Sequence, residues 1–260
     1  MININKNLFL QQRQNVIAIT SGIGSMGKTW LSVTLSHALN ILHQSVLLFD
    51  ADNGLLNVAA QVDLPERTSL NSVLSGDITL NQAVISLNRR KFDVITGDTG
   101  SNVLESTPVG RLQLLRDDLM IIAQDYDCTL IDLPMSEKIS SNILPSESNL
   151  ILVCTNEPSN LVSTYKFLQL TAASERCKNM QIIVNYAVSY EEGLQTYNTL
   201  RHACEEYITQ TPALLGVVRR DTRVRDAIRN QFLLLNRYPN SEAAEDIMQI
   251  ARKILQKGED

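Results

Sequence analysis

The sequence predicts an α/β fold, a single doubly wound, mostly parallel sheet with helices on both faces. Apolar runs of strand length alternate with segments of helical period, as successive βαβ units require. A glycine-rich stretch joins the first strand to the first helix, and three later strands end in Asp or Asn. In open parallel sheets the ligand sits beyond the carboxyl ends of the strands, so these polar residues are expected to converge.

At 260 residues the chain is long enough for one large domain with a buried core. We expect that domain over residues 15–257, after a polar N-terminal extension at 1–14. Strands are expected at Val16–Thr20, Val46–Phe49, Phe92–Thr96, Thr129–Ile131, Leu150–Thr155, Gln181–Val184 and Leu214–Val218. Helices are expected at Thr29–Leu42, Val109–Gln124, Ser159–Ala173, Glu191–Ile208 and Ser241–Gln256.

The first strand runs straight into Ser21-Gly22-Ile23-Gly24-Ser25-Met26-Gly27-Lys28-Thr29. From Gly22 to Thr29 this is G-x-x-x-x-G-K-[ST] in the strand–loop–helix setting that a P-loop needs. Glycines let the backbone curl, so that the N–H groups of Gly22, Gly24, Ser25, Met26 and Gly27 face phosphate oxygens. The following helix N-terminus adds partial positive charge. Lys28 is placed to reach the β- and γ-phosphates, and the Thr29 hydroxyl to ligate Mg²⁺, so Mg·ATP is the expected ligand. Trp30 follows directly, and either lines this site or packs in the core.

The second strand ends in Asp50-Ala51-Asp52-Asn53-Gly54. Two carboxylates there suit either a cation-and-water site or a solvated turn. In the first reading Asp52 orients an attacking water and Asp50 acts through magnesium-bound waters. Cys128-Thr129-Leu130-Ile131-Asp132 is an apolar strand ending in an acid, a Walker B pattern that brings Asp132 near the metal. Ile182-Ile183-Val184-Asn185 ends in an amide, which suits a purine edge or equally a cap or turn.

At these residues the sequence resembles the MinD/ParA family of deviant Walker A ATPases, and within it the FlhG/FleN (YlxH) branch. The resemblance covers nearly all of Val16 to Leu255. It rests on the P-loop, on Asp50 to Val58 (similar to a DADxGLxN switch I), on Val153 to Ser159 with Tyr165-Lys166, and on Asn185. Leu215 to Asp221, Val224 to Ala227 and Tyr238 to Ser241 favour the FlhG branch. The resemblance implies an ATP-dependent switch that forms a nucleotide-sandwich homodimer, associates with membrane or partners, and returns to monomers after hydrolysis. It implies that Lys28 and Thr29 hold phosphate and Mg²⁺, Asp52 positions water, Asp132 supports the metal and Asn185 contacts adenine. Partners in flagellar or polar-localisation machinery follow from the same likeness.

The chain also departs from that pattern. Ile23 stands where the family's signature lysine reaches across the dimer, Gly24-Ser25 replaces a glycine pair, and Ser136 replaces a switch II glycine. Ser163 stands where relatives carry Asp, and no DQAxxLR element occurs in Met1–Gln14. Slow hydrolysis and weak or partner-dependent dimerisation are the expected consequences, with a catalytically degenerate scaffold as the alternative.

Composition narrows the rest. A net charge of -5 and a pI of about 5.3 give no general signal for nucleic acid. Arg219, Arg220, Arg223, Arg225 and Arg229 form the densest basic run, able to meet nucleotide, partner or DNA, or to form a solvated face. Cys128, Cys154, Cys177 and Cys204 form no CxxC pair, which argues against a zinc or iron–sulfur site and for a cytoplasmic protein. Ile247, Ile250, Ala251, Ile254 and Leu255 share one face of the last helix. That stripe serves either the core or the inner face of a membrane; we expect packing on the domain.

Overall fold

The computed structural model describes residues 16–24, 26–52, 54, 57–64, 69–87, 92–145, 148–171, 179–207 and 212–256. The N-terminal extension, Ser25, Cys177 and the expected helix ends at Ala173 and Ile208 lie outside the described residues.

Strands β1 (Val16–Ser21), β2 (Val46–Asp50), β3 (Ile85–Ser86), β4 (Asp93–Ile95), β5 (Cys128–Asp132), β6 (Asn149–Cys154), β7 (Met180–Ala187) and β8 (Ala213–Arg219) form one sheet. Their order is β3-β4-β2-β5-β1-β6-β7-β8, parallel except for the antiparallel β3–β4 pair at one edge. β1 therefore lies between β5 and β6, and the chain leaves it toward β2 on one side before returning to β6 on the other.

Alternation along β1 sends Val16 and Ala18 into one apolar cluster and Ile17 and Ile19 into another. Each cluster is a sheet face closed by helices, which is why the strands read as unbroken apolar runs. Helices α1 (Lys28–Ile41), α2 (Val58–Gln61), α3 (Leu70–Ser75), α4 (Val103–Ser106), α5 (Val109–Ile122), α6 (Glu137–Ile143), α7 (Pro158–Thr171), α8 (Tyr190–Tyr207), α9 (Thr222–Arg229), α10 (Leu234–Arg237) and α11 (Glu242–Gln256) complete the chain. Residues of α1, α9, α10 and α11 cover one face, and those of α5, α6, α7 and α8 the other.

α1 is buried nearly all round, because the sheet lies on one side and α11 on the other. Two of its buried hydroxyls donate to the helix backbone, Ser32 to the Lys28 carbonyl and Ser36 to that of Ser32, and the Ser32 proton is shared with Asp132. The apolar stripe of α11 goes into the core, with Ile247, Ile250 and Ala251 buried. Lys253 donates to the Leu215 carbonyl at 3.0 Å. Among the described residues no helix is long and apolar enough to cross a membrane.

Three features differ from the sequence expectation. The short helices α2, α3, α4, α6, α9 and α10 are too brief to show a period, and β3 has only two residues. β7 does not end at Val184 but continues to Ala187, so Asn185 lies inside the strand and serves as neither cap nor turn. The basic run is split up. Arg219 is bound by Asp246, Glu242 and Glu245, while Arg223 leans on Asp221 at 3.6 Å.

The Asp246 carboxylate accepts from the Arg219 backbone N–H at 2.8 Å and from its Nε at 2.9 Å, fastening β8 to α11. Asp246→Ala should strand that N–H and cost about 2–3 kcal/mol, lowering the melting temperature by roughly 5 °C or more. Asp246→Asn, which keeps one acceptor, should lose less. Thermal melts of both variants check this, and equal melting of wild type and Asp246→Ala would refute it.

Candidate functional site

The carboxyl ends of β1, β2, β5 and β7 meet around the loop that precedes α1. Gly27 starts that helix in a left-handed conformation, φ 80°, which glycine adopts without steric cost. A Cβ there would also lie 2.6 Å from Asn185 Nδ2. At the other end of the loop, a Cβ on Gly22 would lie 2.6 Å from the backbone of Ser163 in α7. The loop is therefore pressed between β7 and α7, and both glycines are needed for the fit.

Asn185 Nδ2 donates to the Met26 carbonyl at 2.8 Å in a buried contact. Because a carbonyl only accepts, the amide nitrogen must face it, which leaves the second N–H and the amide oxygen for any other partner. The Met26 side chain is fully buried, so only its backbone is available to a ligand. Ser21 Oγ donates to the Ile23 carbonyl at 2.6 Å and shapes the loop's ascent. At the crest, Ile23 is 36% exposed, and the Met135 sulfur lies 4.0 Å from where a Gly24 Cβ would be.

Asp50 and Asp132 are paired in register across β2 and β5, and both are fully buried. Asp50 is surrounded by donors: Val58 N at 2.9 Å, Thr96 Oγ1 at 2.7 Å and Asp52 N at 3.1 Å. Asp132 is less satisfied. Its Oδ1 accepts from Ser32 Oγ at 3.2 Å, while its Oδ2 is buried without a hydrogen-bond partner. Burial raises both carboxyls above their ordinary range, Asp132 to about 6, and each is further raised by a neighbouring acid. The Thr29 hydroxyl and the Lys28 ammonium act the other way on Asp132. Lys28, 6% exposed, pairs with Asp52 at 3.8 Å, and Asp52 is one-third exposed.

The Lys28 ammonium thus serves both Asp52 and Asp132, and among the described residues one buried Asp132 oxygen lies beyond hydrogen-bond distance of any donor. That deficit of positive charge beside Thr29 fits a small dication. Among the described residues no group of three or more His, Cys, Asp or Glu could hold a metal alone. Mg²⁺ needs no such group, since it keeps waters and shares ligands with phosphate oxygens.

Beside the loop lies a cavity of about 660 Å³, lined by Trp30, Asn156, Asn160, Asn185, Tyr186 and Arg225 among others. The sequence reading reached Trp30 and Asn185 but missed Tyr186, whose only signal was its place after the strand-end amide. Asn156 and Asn160 flank the start of α7, and Asn160 Nδ2 donates to Thr155 Oγ1 at 2.5 Å. Ser136 caps α6, accepting from Ile139 N at 3.3 Å, and Ser163 Oγ donates to the Ser159 carbonyl inside α7.

Residues 17–259 match the family described as the CobQ/CobB/MinD/ParA nucleotide binding domain. The antiactivator FleN of Pseudomonas aeruginosa is 26% identical over 245 residues, covering 92% of this chain and 85% of that protein. The flagellum site-determining protein YlxH of Helicobacter pylori is 24% identical over 264 residues, 99% of this chain and 88% of that one. Among solved structures, the septum site-determining protein MinD of Pyrococcus horikoshii, complexed with Mg-ADP, superposes with a TM-score of 0.73 at 22% identity. That match covers 93% of this chain and 96% of the other, and shows a shared fold.

The buried acids make stability depend on pH. Raised folded-state pKa values mean that the folded chain holds protons the unfolded chain has released, so stability falls as pH rises from about 4 to about 6. Asp132→Asn removes one such ionisation. It should stabilise the ligand-free protein at pH 8 by on the order of 1–3 kcal/mol, and by much less at pH 4.5. Urea unfolding at the two pH values measures the difference; equal shifts at both would show that Asp132 ionises without penalty.

Proposed function

The chain belongs to the CobQ/CobB/MinD/ParA nucleotide-binding family, and we propose that it acts there as a slow, Mg·ATP-dependent regulatory switch. Its proposed task is to control the placement or number of a bacterial surface structure such as the flagellum, a reading supported by the likeness to FleN and YlxH. One observation carries the nucleotide half: Lys28 and the partnerless Asp132 oxygen sit at the mouth of a glycine-hinged loop.

In this reading the loop from Gly22 to Thr29 takes the phosphates on its backbone N–H groups. Mg·ATP supplies the phosphoanhydride together with the cation that the acids lack. Lys28, now paired with Asp52, would hold the β- and γ-phosphate oxygens, and the Asp52 carboxylate would orient a water. Thr29 would hold Mg²⁺ and Asp132 would support it, and the ion would neutralise developing phosphate charge. Asp50, tied to three donors, chiefly organises the loops after β2 and β4.

Slow turnover follows from charge. Phosphoryl transfer is stabilised almost wholly by positioned cations and N–H groups. At the crest this chain presents Ile23, an apolar side chain where relatives carry a lysine. A trans-acting cation of the arginine-finger kind contributes on the order of 10³–10⁵ in rate, so its loss affects catalysis far more than binding. A dimer across the nucleotide would be weak or would depend on a partner. Ile23 also favours a second reading, a nucleotide-gated scaffold with no turnover. Membrane association, if it occurs, uses a surface other than the α11 stripe, which is in the core.

Lys28→Ala should weaken Mg·ATP binding at least about tenfold, the equivalent of one charge-assisted hydrogen bond. Calorimetry tests this, and unchanged affinity would sink the nucleotide reading. Ile23→Lys, with Ser25→Gly beside it, should raise steady-state phosphate release if ATP brings two copies together. Fast turnover or a stable ATP dimer in the unmodified protein would refute slow switching, and undetectable turnover in both forms would favour the scaffold.

A further inference from the structure

Tyr186 is a bulky residue held at φ 60° inside β7, a left-handed backbone that Asn or Gly adopts more readily. Pairing with β8 shifts register between Val184 and Ala187, so this residue sits at an irregularity in the ladder. Strain of this kind persists where the surrounding structure enforces it, and it concentrates at ligand sites. The outcome here is spatial. Tyr186 is 43% exposed, lines the cavity, and sets its phenol oxygen 2.9 Å from where a Gly27 Cβ would be. Its ring therefore stands where the phosphate loop meets the cavity.

The rest of the cavity suits a flat heteroaromatic ring. Trp30, Val218, Val224 and Ile228 give apolar surface, and Arg225 brings a cation close enough to act on the phenol. Asn185 spends one amide N–H on the Met26 carbonyl and so secures the loop. Its remaining N–H and its oxygen can meet only the edge of a base, not its face. We propose that Tyr186 is the stacking platform for the base of the bound nucleotide, and the main source of base affinity in this chain. The proposal rests on the nucleotide reading above and adds a binding residue to that site.

The test is Mg·ADP titration calorimetry on wild type, Tyr186→Phe, Tyr186→Leu and Tyr186→Asn, each first melted without ligand to show an intact fold. Leu keeps bulk without a ring, and Asn keeps tolerance of the left-handed backbone without a ring. Stacking on an aromatic side chain is sequence-tolerant and sensitive to its removal, so Leu and Asn should each lose at least about fivefold in affinity. Phe should stay within about twofold of wild type. If Leu or Asn binds as tightly as wild type, or if Phe falls with them, the stacking role is wrong while nucleotide binding stands. If wild type itself does not bind Mg·ADP, the nucleotide reading falls and this proposal with it.

Discussion

Two carboxylates lie side by side at the ends of β2 and β5, with a single buried ammonium nearby. Charges removed from water are costly unless paired and hydrogen-bonded, and much of the neighbouring structure answers that requirement. Asp50 gathers Val58 N, Thr96 and Asp52 N, so its neutralisation arranges the segments that follow β2 and β4. Asp132 meets the Ser32 and Thr29 hydroxyls and the Lys28 charge from the first turns of α1, and burial still keeps its carboxyl above the ordinary range. The unequal treatment of two adjacent acids leaves one of them receptive to an incoming cation.

The loop between β1 and α1 leads into the helix that carries Lys28 and Ser32 to these acids, and it is held from two directions. Asn185 grips the Met26 carbonyl from β7, while Gly22 lies against the α7 backbone. Neither Gly22 nor Gly27 has room for an added carbon, so a shift of α7 or β7 must be felt in the loop. The same contacts join the loop to the neighbouring cavity, since Trp30, Asn185 and Tyr186 line it. One rigid seam thus connects the place where phosphate would rest to the place where a base would lie.

Away from this seam the molecule spends its apolar surface on itself. α11 closes one sheet face, and its Asp246 anchors Arg219 at the end of β8. That arrangement ties Arg219 to acids of α11, while Arg219, Arg220 and Arg225 all line the cavity. The apolar crest at Ile23, near Met135, remains exposed beside the loop.

Much of this was legible in the residues alone. The parallel sheet, the strand–loop–helix around Gly22 to Thr29, and the convergence of Asp50, Asp52 and Asp132 follow from local pattern, because glycine placement and apolar runs encode backbone geometry directly. The stripe on α11 was equally visible, but a stripe does not say what covers it; contact with β8 and α1 did. Asn185 was read as a purine contact or a cap, and became a loop clamp only when β7 and the loop were brought together across 159 positions of sequence. Tyr186 carried no signal beyond its place after Asn185, since neither a strained φ nor a cavity wall is a property of local sequence. The sequence by itself determined which groups could carry charge and hydrogen bonds. Tertiary packing decided which of them were already satisfied, because burial and partners arise from segments far apart in the chain.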